Sequence, residues 1–420
     1  MLFNTAFNFI DTLCAGWLGT DSLAALSVSF ALYFMLIAVG SGLSQGATAL
    51  IANALGADHP EDARRIFGQS LLFATVAGFL LSVIGLLAAP KIFTLLGAEG
   101  NYLQETLHYM NVILLGGVFF ILTMAINSAL TAQGLTSIYR NFLIAGCLAN
   151  AALNPLLMWG LCGLPALGVS GIALATVLVQ IGGCFYLWQS LKRGKGFEVP
   201  HLRDFTPDFK ILGQIAEQGI PAALNMMTIA LGVFVITWFV KQFGKEAIAA
   251  VGIATRIEQI ALLPVIGLGT AVLSIVGQNH GAGLTARVRE AWRLNILWGV
   301  GLMCVGSLLV WLFGKGLMSV FTQDPNVIQN GVNYLFAEVF TLPAYPILFV
   351  TVFMMQGLKR PTYGLWMGLY RQIVAPIIVM HILVFSCHWG LWGVWWGFSI
   401  VTWSAALFAL FWGWNAVRER

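Results

Sequence analysis

The sequence predicts an all-α integral membrane protein with twelve transmembrane helices in two parallel-repeat lobes of six. Three observations predict it. Of the 420 residues 59% are hydrophobic and only 9% charged, with a mean hydropathy of +0.85, a composition that no water-soluble domain keeps in solution. The apolar residues fall in runs of about twenty or more, long enough to cross a hydrocarbon layer of about 30 Å as helices. The second half also repeats the first at a spacing of 225 residues: Gly19, Ala24, Ala25, Gly42, Leu43, Gly56 and Ala57 are matched without a gap by Gly244, Ala249, Ala250, Gly267, Leu268, Gly281 and Ala282. Further along, Gln133-Gly134 recurs as Gln356-Gly357, and Gly168 and Gly171 recur as Gly390 and Gly393.

In chain order, the expected spans cover residues 1 to 19, 22 to 55, 64 to 89, 106 to 134, 139 to 161 and 167 to 191, and then 209 to 241, 246 to 281, 288 to 314, 328 to 357, 362 to 386 and 390 to 415. The first run begins at Met1, without a charged leader. Its repeat partner, Met226, lies well inside the seventh run, so the start is expected to be internal, or the first helix short and incomplete. The stretch from Arg193 to Asp208, with Gly194, Gly196 and Pro200, is the one polar connector. It divides an N-lobe (1–192) from a C-lobe (209–420) through a linker (193–208). Duplicated bundles of this kind are how secondary transporters build a site that faces either side of a membrane in turn.

Six crossings return the chain to its starting side, so the two halves are expected to be parallel repeats. Charge agrees. Of the 21 Lys and Arg, fifteen fall in tails and loops of one side, among them Arg64, Arg65, Arg140, Lys195, Arg203, Lys359 and Arg420. That side is expected to be cytoplasmic, with both termini on it, in a cell (inner) membrane. The net charge of +4 then reflects topology, and no nucleic-acid partner is expected. The cysteines stand singly, without CxxC spacing, and are read as small core residues; neither a metal site nor a cofactor is expected.

Ionisable groups inside the spans carry the functional reading. Asp11, in Phe9-Ile10-Asp11-Thr12-Leu13, is about 12 Å from the helix end at Gly19. A carboxylate there costs several kcal/mol unless it is protonated, paired, hydrated or bound to a cation. Its repeat counterpart is Ile236, so the fold does not require an acid at this position. Asn150 and Asn154 fall on one face of the fifth span at i and i+4, followed by Pro155, and Thr176 of the sixth span could supply a hydroxyl to them. Ordinary interhelical amide bonding is the alternative for this patch. Glu258, near the middle of the eighth span, is either a structural ion-pair member or a coupling group. Arg256, two residues away, points to a different helix face, leaving Arg371 as the partner expected across the second lobe. Glu217 and Glu338 are read as interfacial.

These features together resemble the MATE (multidrug and toxic compound extrusion) transporters over the whole length. The resemblance is carried by Asp11-Thr12 followed by Gly16, Leu18 and Gly19; by Gln133-Gly134; by Asn150 to Pro155; by Gly168 to Thr176; and by Ala271 to Ala282 with Val276-Gly277-Gln278-Asn279. It implies a monomer in the lipid bilayer that exports small organic compounds, often cationic or amphipathic, against inward flow of H⁺ or Na⁺. Asp11 matches the first-helix acid on which coupling depends in many members, with Asn150 and Thr176 matching polar residues around it. Asn154 stands where a second aspartate is often found. Residues 218 to 241 and 341 to 357 hold no Asp or Glu, so the second-lobe acids of another branch are missing. With a single anion among amides and a hydroxyl, H⁺ is favoured over Na⁺, which wants more oxygen ligands.

The residues also admit two other readings. A flippase for lipid-linked sugars would need several cations facing the cavity to hold a pyrophosphate, and only Arg256 and Arg371 are available for that. Gly42-Leu43-Ser44-Gln45-Gly46 and Gly168-Val169-Ser170-Gly171 resemble serine-hydrolase motifs, with His381 or His388 as base. The duplicate replaces Ser44 by Gly269 and Ser170 by Trp392 while keeping the glycines at Gly267, Gly390 and Gly393, which points to helix packing and a turn.

Overall fold

A computed structural model describes residues 2–194 and 197–418, without the side chains of 2–6 and of Cys162. Met1, Lys195, Gly196, Glu419 and Arg420 lie outside the described residues. The described chain is helical throughout and holds no strand: α1 (Leu2–Leu18), α2 (Thr20–Gly56), α3 (Pro60–Leu95), α4 in two segments (Gly100–Leu115 and Gly117–Ala132), α5 (Thr136–Met158), α6 (Val169–Arg193), α7 (Phe209–Val240), α8 (Lys245–Gly281), α9 (Thr285–Phe321), α10 in two segments (Pro325–Thr341 and Ala344–Gly357), α11 (Thr362–Ser386) and α12 (Leu391–Arg418). Among the described residues nine helices are individually long and apolar enough to cross a membrane. Two more crossings are the bent pairs, α4 by 44° and α10 by 56°. The seventeen-residue α1 completes the expected set.

Local chemistry sets the boundaries. Gly19 and Gly244 hold φ of +134° and +96° at the starts of α2 and α8, a backbone region that favours glycine, so the sequence repeat is also a repeat of turn geometry. Pro60 opens α3 with Glu61 and Asp62 in its first turn, where a missing N–H and negative charge both suit a helix N-terminus. Asp324 caps α10 by accepting from the backbone N–H of Asn326 at 2.8 Å. α11 contains two π-helical turns, Tyr370–Val374 and Ile382–Ser386; such turns widen a helix and recur at functional positions.

Packing divides the chain into two compact units, Met1–Ala223 and Leu224–Arg420, with the division inside α7. Each has its own apolar core, around Phe67, Met110, Ile121 and Leu130 in the first and around Tyr345, Met380 and Trp395, with a neighbouring cluster at Val276 and Trp292, in the second. Within the first unit, α2 meets the beginning of α7 through glycines. A Cβ added at Gly42 would lie 2.6 Å from the Ala223 Cβ, and one at Gly46 would lie 2.8 Å from the Gly219 nitrogen. Gly42 is therefore a packing glycine.

The chain before α7 is fastened to α3. Arg64 Nε donates to Asp204 Oδ2 at 3.0 Å and its Nη1 reaches Glu198 at 2.5 Å. Gln69 Nε2 donates to the carbonyls of Asp204 and Thr206, while its Oε1 accepts from the Asp208 N–H. Arg64, Gln69 and Asp204 are all buried. The cysteine expectation needs correction: Cys14 is a core residue, but Cys304 and Cys387 are exposed, as apolar positions on the outside of a membrane bundle are free to be.

Candidate functional site: a carboxylate buried in the first unit

Asp11 is 5% exposed. One carboxyl oxygen accepts from Asn154 Nδ2 at 2.8 Å and the other from Thr176 Oγ1 at 3.1 Å. The donors are themselves linked. Asn150 Nδ2 donates to Thr176 Oγ1 at 3.2 Å, and Asn154 Nδ2 also reaches Asn150 Oδ1 at 3.3 Å. Three helices thus converge: α1 brings the acid, α5 the amides from one face at i and i+4, and α6 the hydroxyl. All four residues singled out in the sequence are brought together, and Asn150 and Asn154 are completely buried.

The approach of α5 and α6 is set by Gly171. A Cβ there would lie 2.7 Å from the Leu157 carbonyl carbon and the Met158 nitrogen, so only glycine lets the backbones touch. The duplicate does the same thing: a Cβ at Gly393 would lie 3.0 Å from the Leu383 carbonyl carbon. Gly168 and Gly390, at φ +55° and +58°, make the turns before them. Ser170 is spent on the His108 carbonyl at 3.3 Å. The hydrolase-like motifs are helix-packing and turn sequences.

Among the described residues no cationic side chain forms an ion pair with Asp11. A buried carboxylate with neutral donors alone is a place to hold a proton or a cation. Asn154 Oδ1, buried beside it, has no hydrogen-bond partner. That orphaned acceptor is one amide rotation away from facing Asp11.

The second-unit candidates separate. Arg256 is exposed and takes no part. The Arg371 guanidinium lies over the Tyr345 ring, 5.6 Å from its centroid. Glu258 accepts from Tyr345 Oη at 2.5 Å and from Tyr334 Oη at 2.7 Å. The expected direct pairing of Glu258 with Arg371 is thus replaced by two phenols, with Arg371 one ring away. Glu217 is exposed, whereas Glu338 is 2% exposed and packed inside its unit. It stands just before the break in α10 at Leu342 and Pro343. Tyr334 and Tyr345 escaped the sequence reading, and Pro343 was the available signal.

Two bundles of membrane-spanning helices, with an unpaired acid buried in the first, define a polytopic membrane transporter. The MatE family model matches residues 1–156 and 221–381, and the chain belongs to that family, the multidrug and toxic compound extrusion transporters. It is a transporter and not an enzyme. It is similar to a Bacillus subtilis protein described as "Probable multidrug resistance protein YoeA", 29% identical over 74% of this chain and 68% of that one. The FAD transporter of Shewanella oneidensis is 27% identical over 88% of this chain and 81% of the relative. A solved structure of a multidrug resistance MATE family transporter of the MOP superfamily, in an outward-facing conformation, superposes with a TM-score of 0.92 at 25% identity, covering all of this chain and 93% of the other.

Proposed function

We propose that the protein is a secondary active efflux antiporter of a cell (inner) membrane, with both termini cytoplasmic, exporting small organic compounds in exchange for H⁺ loaded at Asp11. The observation that carries this reading is the Asp11 carboxyl, 5% exposed, held by Asn154 and Thr176 with no countercharge among the described residues. Charged, it is stabilised by two donors; neutral, it would need an acceptor for its new O–H. Rotation of the Asn154 amide supplies one, because its Oδ1 is without a partner, and the same four side chains then serve both ionisation states. Loading a proton removes the charge, loosens the grip of Thr176 and Asn154 on α1, and so ties ion binding to helix packing.

Na⁺ would draw on Asp11, Asn150, Asn154 and Thr176 oxygens, fewer than its usual coordination without water. Likeness to the multidrug proteins supports a cationic or amphipathic cargo. The likeness to a FAD transporter makes FAD the one anionic compound to assay beside it.

Replacing Asp11 by Asn tests the reading, since it keeps shape and removes the charge. A buried charge is worth several kcal/mol, so gradient-driven export should fall at least about tenfold, while Asp11→Glu retains part of it. Wild-type export and wild-type pH response in Asp11→Asn would end this assignment.

A further inference from the structure

The sequence repeat hides a difference in charge between the two units. At the 225-residue spacing, Asp58, Glu61, Asp62, Arg64 and Gly68 correspond to Gly283, Ala286, Arg287, Arg289 and Arg293. In the first unit the cations are neutralised within the chain. Arg64 is buried and paired with Asp204 and Glu198, and Arg65 meets Asp208 at 2.8 Å. A Cβ added at Gly68 would lie 2.9 Å from the Asp204 carbonyl oxygen, so the segment before α7 lies against this face of α3.

The duplicate keeps the arginine and loses the acids. The first turn of α9 holds no acidic residue, whereas that of α3 holds Glu61 and Asp62. Arg287, Arg289 and Arg293 are all exposed, and none forms an ion pair among the described residues. Glu290, the acid between them, is exposed as well and pairs with none of the three. Arg289 Nη2 donates to the Val417 carbonyl of α12 at 3.0 Å, which orients the guanidinium and leaves N–H groups for a second acceptor. Arg293 stands where Gly68 admits the linker, and the surface beyond it stays open: Leu297 and Trp298 are 66% and 72% exposed.

Position and chemistry identify what these arginines face. Val417 and Thr285 line a small depression with His280, Val288, Leu358 and Ala416, where α8, α9 and α12 end or begin. Trp414, three residues before Val417, is 49% exposed, and exposed tryptophan near a span end marks the edge of the hydrocarbon. The arginines therefore stand at headgroup depth. Leu297 lies about 12 Å along α9 from Arg289, on the hydrocarbon side, where acyl chains run. Basic clusters beside membrane spans attract anionic lipids, and a free phosphate would gain nothing from the apolar surface that continues below.

We propose that Arg287, Arg289 and Arg293 bind the phosphate of an anionic phospholipid, whose acyl chains lie along the outer face of α9. The first unit has no such site, because Glu198, Asp204 and Asp208 already occupy its arginines. None of these residues enters the Asp11 assignment, and either assignment can fail alone.

The experiment is native mass spectrometry of the purified full chain in neutral detergent, titrated with phosphatidylglycerol, with phosphatidylcholine of the same acyl chains, and with inorganic phosphate. Wild type should retain one phosphatidylglycerol at concentrations where phosphatidylcholine and phosphate leave no adduct. The pair Arg287→Gln and Arg289→Gln should weaken that binding about tenfold or more, since each cation beside an anionic lipid surface contributes about fivefold. Arg203→Gln with Lys210→Gln removes two exposed cations of the first unit and should leave it unchanged. Ala286→Glu puts in the acid that Glu61 supplies to the first unit; it should weaken lipid binding while favouring the start of α9, so it carries the test should the arginine pair not fold. Equal retention of phosphatidylcholine, displacement of the lipid by inorganic phosphate, equal weakening in the Arg203 and Lys210 pair, or wild-type retention in Ala286→Glu would overturn the proposal.

Discussion

Replacing Gly171 by Ala should disable transport without touching a polar residue. The new methyl would lie 2.7 Å from the Leu157 carbonyl carbon and the Met158 nitrogen, whereas such contacts want about 3.5–4.0 Å, so α5 and α6 must part by roughly 1 Å. Thr176 is about 7.5 Å further along α6, and its bonds to Asp11 and Asn150 are already 3.1 and 3.2 Å. An opening of roughly that size takes both beyond hydrogen-bond range. Overpacking costs about 1–3 kcal/mol and two intramembrane hydrogen bonds average about 0.6 kcal/mol each, so the loss should be about 2–4 kcal/mol. The assay is thermal unfolding of the detergent-purified protein, with dye efflux from reconstituted vesicles in parallel. Gly182→Ala is the control, because that position on the same helix has nothing within 4 Å and alanine there favours the helix by up to about 1 kcal/mol. If Gly171→Ala melted and exported like Gly182→Ala, the packing argument for the site would be refuted.

Two further substitutions, each with its control, probe the frame. Arg64→Ala strips the countercharge from buried Asp204 and should cost about 3–5 kcal/mol, seen as a lower melting midpoint; Glu198→Ala should cost at most about 1 kcal/mol, because the Glu198 side chain is 74% exposed. Gly42→Ala would set a methyl 2.6 Å from Ala223 and the Gly219 carbonyl and should destabilise by about 1–3 kcal/mol, measured by the same melt, whereas Gly213→Ala, in open space, should not.

The architecture was legible because membrane burial forces long apolar runs and because the duplication shows each element twice. Helix ends were less so: α3 runs from Pro60 to Leu95, past the expected 64 to 89, since a helix may continue into water once Pro60, Glu61 and Asp62 favour its start. Asp11, Asn150, Asn154 and Thr176 could be found because a polar group in an apolar span is conspicuous and an i, i+4 pair must share a face. The burial of Glu338 could not be read, since which face of α10 packs inward depends on its neighbours. Arg64 and Asp204 are 140 residues apart, and nothing local in either stretch announces the other. The π-helical turn that carries Arg371 has no sequence mark either, so its place over Tyr345 emerged only from the fold.

The most direct test measures ion flow alongside export. Purified protein in vesicles, loaded with a fluorescent organic cation, is given an imposed pH gradient and, separately, an imposed Na⁺ gradient, with wild type and Asp11→Asn compared. Wild-type efflux driven by the pH gradient, with proton movement opposite to the dye, and neither in Asp11→Asn, is the predicted result. Efflux that follows the Na⁺ gradient alone, or proton-coupled efflux that persists in Asp11→Asn, would contradict it.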